Sequence, residues 1–204
     1  MLKRVTFTGI DQWTKPEALS ALCRDYPFVE FAMRLAESPN DSSRFPPLDM
    51  LKAYRERKFP LAVHLCGRLA RHPIQTGDWS EVEEKLGSFY SLFGRMQLNT
   101  SKAGKFCREI VFPKDKQVII QMHGGTQEFF DYYKHMPNVQ GFQDDSGGGI
   151  GPENAAETVR AISKVREGDF WIDMESRIRT DECFDLSKCR AVCEQIAQAG
   201  LVTI

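Results

Sequence analysis

The chain has 204 residues, is 42% hydrophobic and carries a formal net charge of −1. That length suits one sizeable core and one domain spanning residues 1–204, and the near-neutral balance leaves no basic field for nucleic acid or an anionic membrane. No apolar run approaches a membrane span, the first residues MLKRVTFTG lack a signal-peptide apolar stretch, and the six cysteines, without a CxxC spacing, read as reduced thiols of a cytoplasmic protein.

Residues 5–9 read as a strand, and Thr14 with Pro16 opens a helix running to about Arg24. Residues 28–35 are a second strand. A polar, proline-containing loop over 36–47 leads to a helix near 48–57 and a third strand over 61–66. Ser80 and Glu83 have the spacing of a capping box for a helix that ends at Gly94. Residues 96–99 predict a fourth strand, 102–110 a short helix, 117–123 a fifth strand and 127–135 a further helix. Residues 139–143 are a weaker strand. A helix over 152–164 precedes a strand over 170–175, and Asp185 caps a last helix that stops at Gly200.

This alternation predicts an α/β fold, a parallel sheet with helices outside it. The expected architecture is a (β/α)8 TIM barrel, shortened or incomplete. Seven strands are recognisable where about eight are needed, and the chain is shorter than the roughly 250 residues typical of that barrel. The shortage lies between His123 and Gly149, where one strand–helix unit is missing.

The strands divide by parity. Phe170, Ile172 and Met174 oppose Trp171, Asp173 and Glu175; Val118, Ile120 and Met122 oppose Ile119, Gln121 and His123. Val29, Phe31 and Met33 oppose Glu30, Ala32 and Arg34, and Met96 and Leu98 oppose Gln97 and Asn99. Leu61, Val63 and Leu65 oppose Ala62, His64 and Cys66, while Val5 and Phe7 oppose Thr6 and Thr8. An antiparallel sheet with one wet face alternates in the same way, but helices between nearly every strand pair argue against it. If the apolar parity faces the helices, the polar parity points into the barrel. Buried charges there must be paired or working, and Glu30 and Arg34 suit a buried ion pair, with each other or with a neighbour. Thr8, Cys66, Asn99, His123 and Glu175 fall at strand C-terminal ends, the rim where such barrels do chemistry.

One turn stands out. Gly147, Gly148, Gly149 and Gly151 run into Pro152, a residue suited to the first turn of a helix. A helix begun this way aims free backbone N–H groups and the positive end of its dipole outward, and the glycines let an anion approach the backbone. The next strand delivers a second polar turn beside the first, which is how a strand–helix barrel holds a phosphate.

GGGIGPENAAETVRAI and FWIDMESRIRTDECFDLSKC resemble the C-terminal third of phosphoribosylanthranilate isomerase, with its GG-x-x-P-x-N turn, helix, strand of D-V-S-S-G-V-E type and K-D segment. The resemblance puts Gly148, Gly149, Pro152, Asn154, Asp173 and Ser176 on family positions. VTFTGID resembles the first-strand K-I-C-G-x-T motif, SSRFP the S-P-R-[YF] turn after strand two, and MQLN the V-Q-L-H motif. HLCG and WIDME also resemble a group of bacterial proteins without an assigned activity. The resemblance implies a ribulose-phosphate-binding barrel and a cofactor-free Amadori-type aldose-to-ketose isomerisation in tryptophan biosynthesis, chemistry that needs an acid and a base. It implies that Arg44 contacts a carboxylate. It also places Thr8 where the family has its cysteine base, and Asp144 or Asp145 where the family has its aspartic acid. Glu175, Arg177 and Arg179 replace a serine, a glycine and a glutamate, so Arg177 either adds charge to a phosphate site or blocks it.

Three functions fit these features. The first is an isomerase-like site on a divergent substrate. Its phosphate would sit on Gly148, Gly149, Gly151, Ser176 and Arg177, and Arg44, Gln97, Asn99 and Asp173 would contact substrate. Asp144, Glu175, His123, Cys66 and Thr8 are its acid/base positions, although His123 also suits a hydrogen-bonded interior histidine and Cys66 a small buried residue. The second is a metal-dependent hydrolase or lyase using His64, His123, Asp173 and Glu175, which lacks supporting H-x-H or HExxH spacing. The third is a barrel that binds a phosphorylated ligand without turnover, favoured by Thr8. The expected partner is a small phosphorylated molecule, with no cofactor, metal, nucleic acid or membrane, in a monomer or homodimer.

Overall fold

Seven parallel strands close into a ring in the computed structural model, which describes residues 1–37, 44–57, 59–99, 117–123, 141–143, 149–165 and 168–202. The side chains of residues 99, 117–123, 141–143 and 165 lie outside that description. The strands are β1 (Leu2–Thr8), β2 (Val29–Leu35), β3 (Leu61–Leu65), β4 (Arg95–Asn99), β5 (Gln117–His123), β6 (Gly141–Gln143) and β7 (Phe170–Met174). Each pairs with the next, and β7 returns to β1 through Val5–Ile172 and Phe7–Met174. With every neighbouring pair hydrogen-bonded, the ring leaves no gap for an eighth strand. The barrel is shortened, and it is closed.

Around it lie α1 (Pro16–Asp25), α2 (Leu51–Arg55), α3 (Arg68–Thr76), α4 (Ser80–Leu86), α5 (Ala155–Val165) and α6 (Leu186–Gln198). The apolar strand parity meets them. Val5, Phe7, Val29, Phe31, Val63, Met96, Leu98 and Ile172 are buried in one cluster with Leu19 and Leu22 of α1, Val159 and Ile162 of α5, and Val192 and Ile196 of α6. Burial of this kind, worth roughly 1.5–3 kcal/mol per large aliphatic side chain, holds the helices on the ring. Among the described residues, no helix is long and apolar enough to cross a membrane.

Several local expectations change. The helix following Asp78 begins at Ser80, so Ser80 does not cap it; Asp78 Oδ1 accepts the Ser80 N–H at 2.9 Å instead. That helix stops at Leu86 and a 3-10 turn, Gly87–Leu92, carries the chain on, so Gly94 is not its end. Thr14 does not cap α1 either, since its hydroxyl donates to Asp11 Oδ1 at 2.8 Å and Pro16 opens the helix. Helix α5 starts at Ala155, three residues beyond Pro152. Helix α3 is unforeseen because Pro73 lies inside it, where the ring removes a backbone donor. The buried Leu69, Ala70 and Pro73 secure it by packing. Also unforeseen is a short antiparallel hairpin, β8 (Arg179–Thr180) and β9 (Cys183–Phe184), between β7 and α6. The cap of α6 is as expected: Asp185 Oδ1 accepts the Ser187 and Lys188 N–H groups at 2.9 and 3.2 Å.

Candidate functional site

Strands β1 and β4 are not neighbours in the ring, and neither are β2 and β4 or β4 and β7. Yet the Thr8 hydroxyl of β1 donates to Gln97 Oε1 of β4 at 3.1 Å, Arg95 Nε of β4 meets Glu30 Oε1 of β2 at 2.8 Å, and Gln97 Nε2 donates to Asp173 Oδ1 of β7 at 3.3 Å. Such bonds are made only through the barrel interior. The polar parity therefore converges on the axis, as the alternation predicts.

The interior is stratified. Towards the N-terminal ends of the strands, Glu30 pairs with Arg95 and accepts from the Thr6 hydroxyl at 3.0 Å, while the Arg95 guanidinium lies over Trp171 at 4.9 Å. Burial pushes the Glu30 carboxyl up, and the Arg95 and Arg4 charges pull against it. This is the structural ion pair, with Arg95 rather than Arg34 as the partner. Above it, Thr8 Oγ1 lies 2.5 Å from Asp173 Oδ1, and Thr8, Gln97 and Asp173 are all fully buried. Burial pushes the Asp173 carboxyl up to about 8 despite the Thr8 and Gln97 hydrogen bonds. Thr8 Oγ1 is thus within donating reach of both Asp173 Oδ1 and Gln97 Oε1, and Gln97 Nε2 donates to the same Asp173 Oδ1, so the three side chains form a closed ring of contacts.

At the rim, Glu175 Oε1 accepts from Arg34 Nη1 at 2.9 Å and from Arg44 Nη1 at 3.2 Å. Arg34 also stacks on Phe45 at 4.4 Å and donates from Nη2 to Cys66 Sγ at 3.5 Å. Burial pushes the Cys66 thiol up against the opposing pull of Arg34, so it keeps its proton at neutral pH. Beside them, Arg179 Nη1 donates to the Gly9 carbonyl at 2.6 Å, and its Nη2 lies 3.7 Å from Asp11 Oδ2. Gly9 has φ 89°, and a Cβ there would stand 3.1 Å from Arg179 Nη1, so this bend in the chain needs glycine.

The two turns expected to face one another do touch. The chain after β6 passes Gly149 and Gly151 into α5, and the chain after β7 forms a 3-10 turn, Ser176–Ile178. A Cβ on Gly151 would lie 2.6 Å from Arg177 Cβ and 2.9 Å from its Cδ, so only glycine fits beneath that side chain. Arg177 Nη1 reaches Glu153 Oε2 at 3.3 Å. Asn154 organises the first turn: its Oδ1 accepts the Gly151 N–H at 2.8 Å and its Nδ2 donates to the Gly149 carbonyl at 3.0 Å.

Of the residues expected in a site, the structure gathers Thr8, Gln97 and Asp173 inside the barrel, Glu175, Arg44 and Cys66 at the rim, and Gly149, Gly151, Ser176 and Arg177 in the paired turns. Asp144, Asp145, Gly147 and Gly148 lie outside the described residues, as do the side chains of Asn99 and His123; the β5–β6 register pairs His123 with Gln143. His64 is buried, in register with Arg34 and Gln97. Among the described residues, no three His, Cys, Asp or Glu side chains cluster as a metal site. Arg34, Asp11, Arg179 and Glu182 were not singled out as site residues. Arg34 does carry a signal, the polar parity one position before the end of β2. Arg179 and Glu182 belong to the hairpin, which nothing in the local pattern announces, and Asp11, in the turn after β1, meets that hairpin by accepting the Phe184 N–H.

No family model matches the sequence, and no curated protein matches it either. Solved structures do. The N-(5'-phosphoribosyl)anthranilate isomerase of Pyrococcus furiosus superposes with a TM-score of 0.63 at 11% identity, over 96% of this chain and 98% of that one. The phosphoribosyl anthranilate isomerase of Thermotoga maritima gives 0.63 at 14% identity, over 97% and 100%. A phosphoribosyl anthranilate isomerase in complex with reduced 1-(o-carboxyphenylamino)-1-deoxyribulose 5-phosphate gives 0.61 at 14%, over 97% and 100%. At such identities the likeness is one of fold: the chain has a phosphoribosylanthranilate isomerase-like fold.

Proposed function

We propose that this chain binds a small phosphorylated sugar at the C-terminal rim of its barrel, in a site of aldose–ketose isomerase type. The observation that carries this reading is the contact between the glycine turn before α5 and the turn after β7, on a fold shared with enzymes of that class. The phosphate is assigned to Gly148, Gly149, Gly151 and Ser176, with the Arg177 charge beside it, since the turn lies before the positive end of the α5 dipole, the Gly151 N–H itself being held by Asn154 Oδ1. Substrate contacts fall to Arg44 and Asn99, above Gln97 and Asp173, which are fully buried beneath the rim and bonded to one another. Proton transfer falls to Glu175, His123 and Asp144, because Thr8 is tied into the ring with Gln97 and Asp173 and the Cys66 thiol keeps its proton.

A second reading, ligand binding without turnover, is favoured by that same placement of Thr8. A hydroxyl already engaged between an amide and a carboxyl does not serve as a base near neutral pH. Reduced thiols suit a cytoplasmic protein on either reading, and the cysteines of the described residues are free.

Thermal denaturation with ribose 5-phosphate and with inorganic phosphate tests the binding, because a ligand at 100 times its Kd adds about 2.7 kcal/mol to the native state. A rise in Tm is the expected result, and its absence with both ligands sinks both readings. Turnover of phosphoribosylanthranilate, abolished in Glu175→Gln or Asp144→Asn, then selects the isomerase; binding with no turnover of any aldose phosphate selects the second reading.

A further inference from the structure

The Arg177 stem is not alone against Gly151. A Cβ on that glycine would also stand 3.1 Å from Glu153 Oε2, so a carboxylate oxygen of the chain rests on the glycine turn. The same oxygen accepts from Arg177 Nη1 at 3.3 Å. Among the described residues, neither side chain has another polar partner. Glu153 lies two residues before α5 begins, so its charge stands at the positive end of that helix dipole. Close approach to the glycine turn, the helix end and the Arg177 guanidinium are what the turn offers an anion. In the free protein the chain's own anion takes all three.

The backbone around this contact is fixed. The Gly151 carbonyl accepts the Asn154 and Ala155 N–H groups at 3.2 and 3.0 Å, and the Gln195 side chain of α6 donates to the Pro152 carbonyl. On the facing turn, Ile178 is fully buried next to Arg177. The loose part is the Glu153 side chain, 71% exposed against 37% for Arg177. It can swing into solvent while the turn stays in place and the Arg177 stem stays packed on Gly151.

We propose that Glu153 is a resident anion of the phosphate seat: its carboxylate fills the free site, and the phosphate of the ligand displaces it onto Arg177. The exchange favours the ligand. An ion pair this exposed is weak, and a phosphate monoester brings nearly two charges and three acceptor oxygens to a guanidinium that Glu153 serves with one oxygen. Glu153 thereby limits the affinity of the site, and its removal leaves Arg177 free for the ligand. The inference rests on the phosphate site proposed above and concerns the one ligand group assigned there.

Calorimetry with ribose 5-phosphate at constant ionic strength tests it on the unmodified protein, Glu153→Gln and Glu157→Gln. Glu157 is exposed in the first turn of α5, so its variant removes the same charge from the same helix end and leaves the Arg177–Glu153 pair in place. Glu153→Gln is expected to bind about fivefold tighter, the scale of one exposed ion pair, while Glu157→Gln binds as the unmodified protein does. Equal affinity of Glu153→Gln and the unmodified protein overturns the resident anion. Equal gains in the two variants overturn it as well, because they make Glu153 one of several distant charges. A crystal soaked in inorganic phosphate gives a second readout: the expected anion sits on Arg177 with Glu153 turned away, and an anion on Arg177 beside an intact Arg177–Glu153 contact overturns the displacement. Each of these contrary results leaves the anion site itself standing. No binding of ribose 5-phosphate by the unmodified protein and by Glu153→Gln alike removes the site and the inference together.

Discussion

A carboxyl group with no exposed surface, held by one hydroxyl and one amide, is most stable when it carries its proton. Asp173 is such a group, raised from an ordinary value of 3.8 to about 8 by burial. Between those values the native state binds a proton that the unfolded chain has lost, so the contribution of Asp173 is fully present below about pH 4 and is lost as pH rises through about 8. Asparagine keeps the shape and the neutral hydrogen bonds and does not titrate. Asp173→Asn is therefore expected to flatten the fall in stability on the alkaline side, and to unfold at higher urea than the unmodified protein at about pH 8.5. Urea midpoints across the range check this, and parallel curves for the two proteins would show that Asp173 is ionised throughout. Glu30 behaves differently because Arg95 shares its burial. Glu30→Gln leaves a buried guanidinium without its counter-charge and is expected to cost roughly 3–5 kcal/mol in urea denaturation, most of it recovered when Arg95→Met is added. The inward direction of both acids is legible in their strand parity. Their partners are not, since Thr8 and Gln97 are 89 residues apart and no local pattern encodes who faces whom across a barrel.

Single elements are legible where their cause is local. Asp185 and Gly200 bound α6 as their residue types predict, and Asp185→Ala is expected to cost about 1 kcal/mol through the lost cap, read as a lower Tm. The Thr180 hydroxyl and the cap bonds hold the Asp185 carboxyl below its ordinary value against the upward push of burial, so that contribution persists at neutral pH and fades only in acid. Where tertiary packing overrides local chemistry, the reading fails. Pro73 marks a break in sequence and sits in the middle of α3, because three buried side chains outweigh one missing bond. Ser80 has capping chemistry but lies inside the helix, where its own N–H donates to Asp78 Oδ1. The hairpin is hidden because its turn residues are the wrong type for its shape. The paired turns lie between these extremes: the glycines announce a close approach, and the structure names Arg177 as what approaches. Gly151→Ala is expected to destabilise the protein by roughly 1–3 kcal/mol by overpacking that contact, and to weaken ribose 5-phosphate binding in calorimetry.

At the scale of the molecule, a barrel of this type is legible from strand–helix alternation, and its shortness from counting strands. Closure is not, because it depends on β6, a three-residue strand with little propensity of its own that bridges β5 and β7. A seven-strand ring has a narrower bore than an eight-strand one, since diameter grows with strand number. Its polar interior is accordingly filled by paired side chains such as Glu30 with Arg95, and the chemistry is left to the rim. The account stands on an anion seated where the last two strand–helix connections meet. The measurement that tests this most directly is a crystal soaked in inorganic phosphate with the rim clear of lattice contacts. The account predicts density for a tetrahedral anion between the Gly149–Gly151 turn and Ser176, within reach of Arg177. An anion bound elsewhere on the rim, or an empty turn at a phosphate concentration that raises Tm, would contradict it.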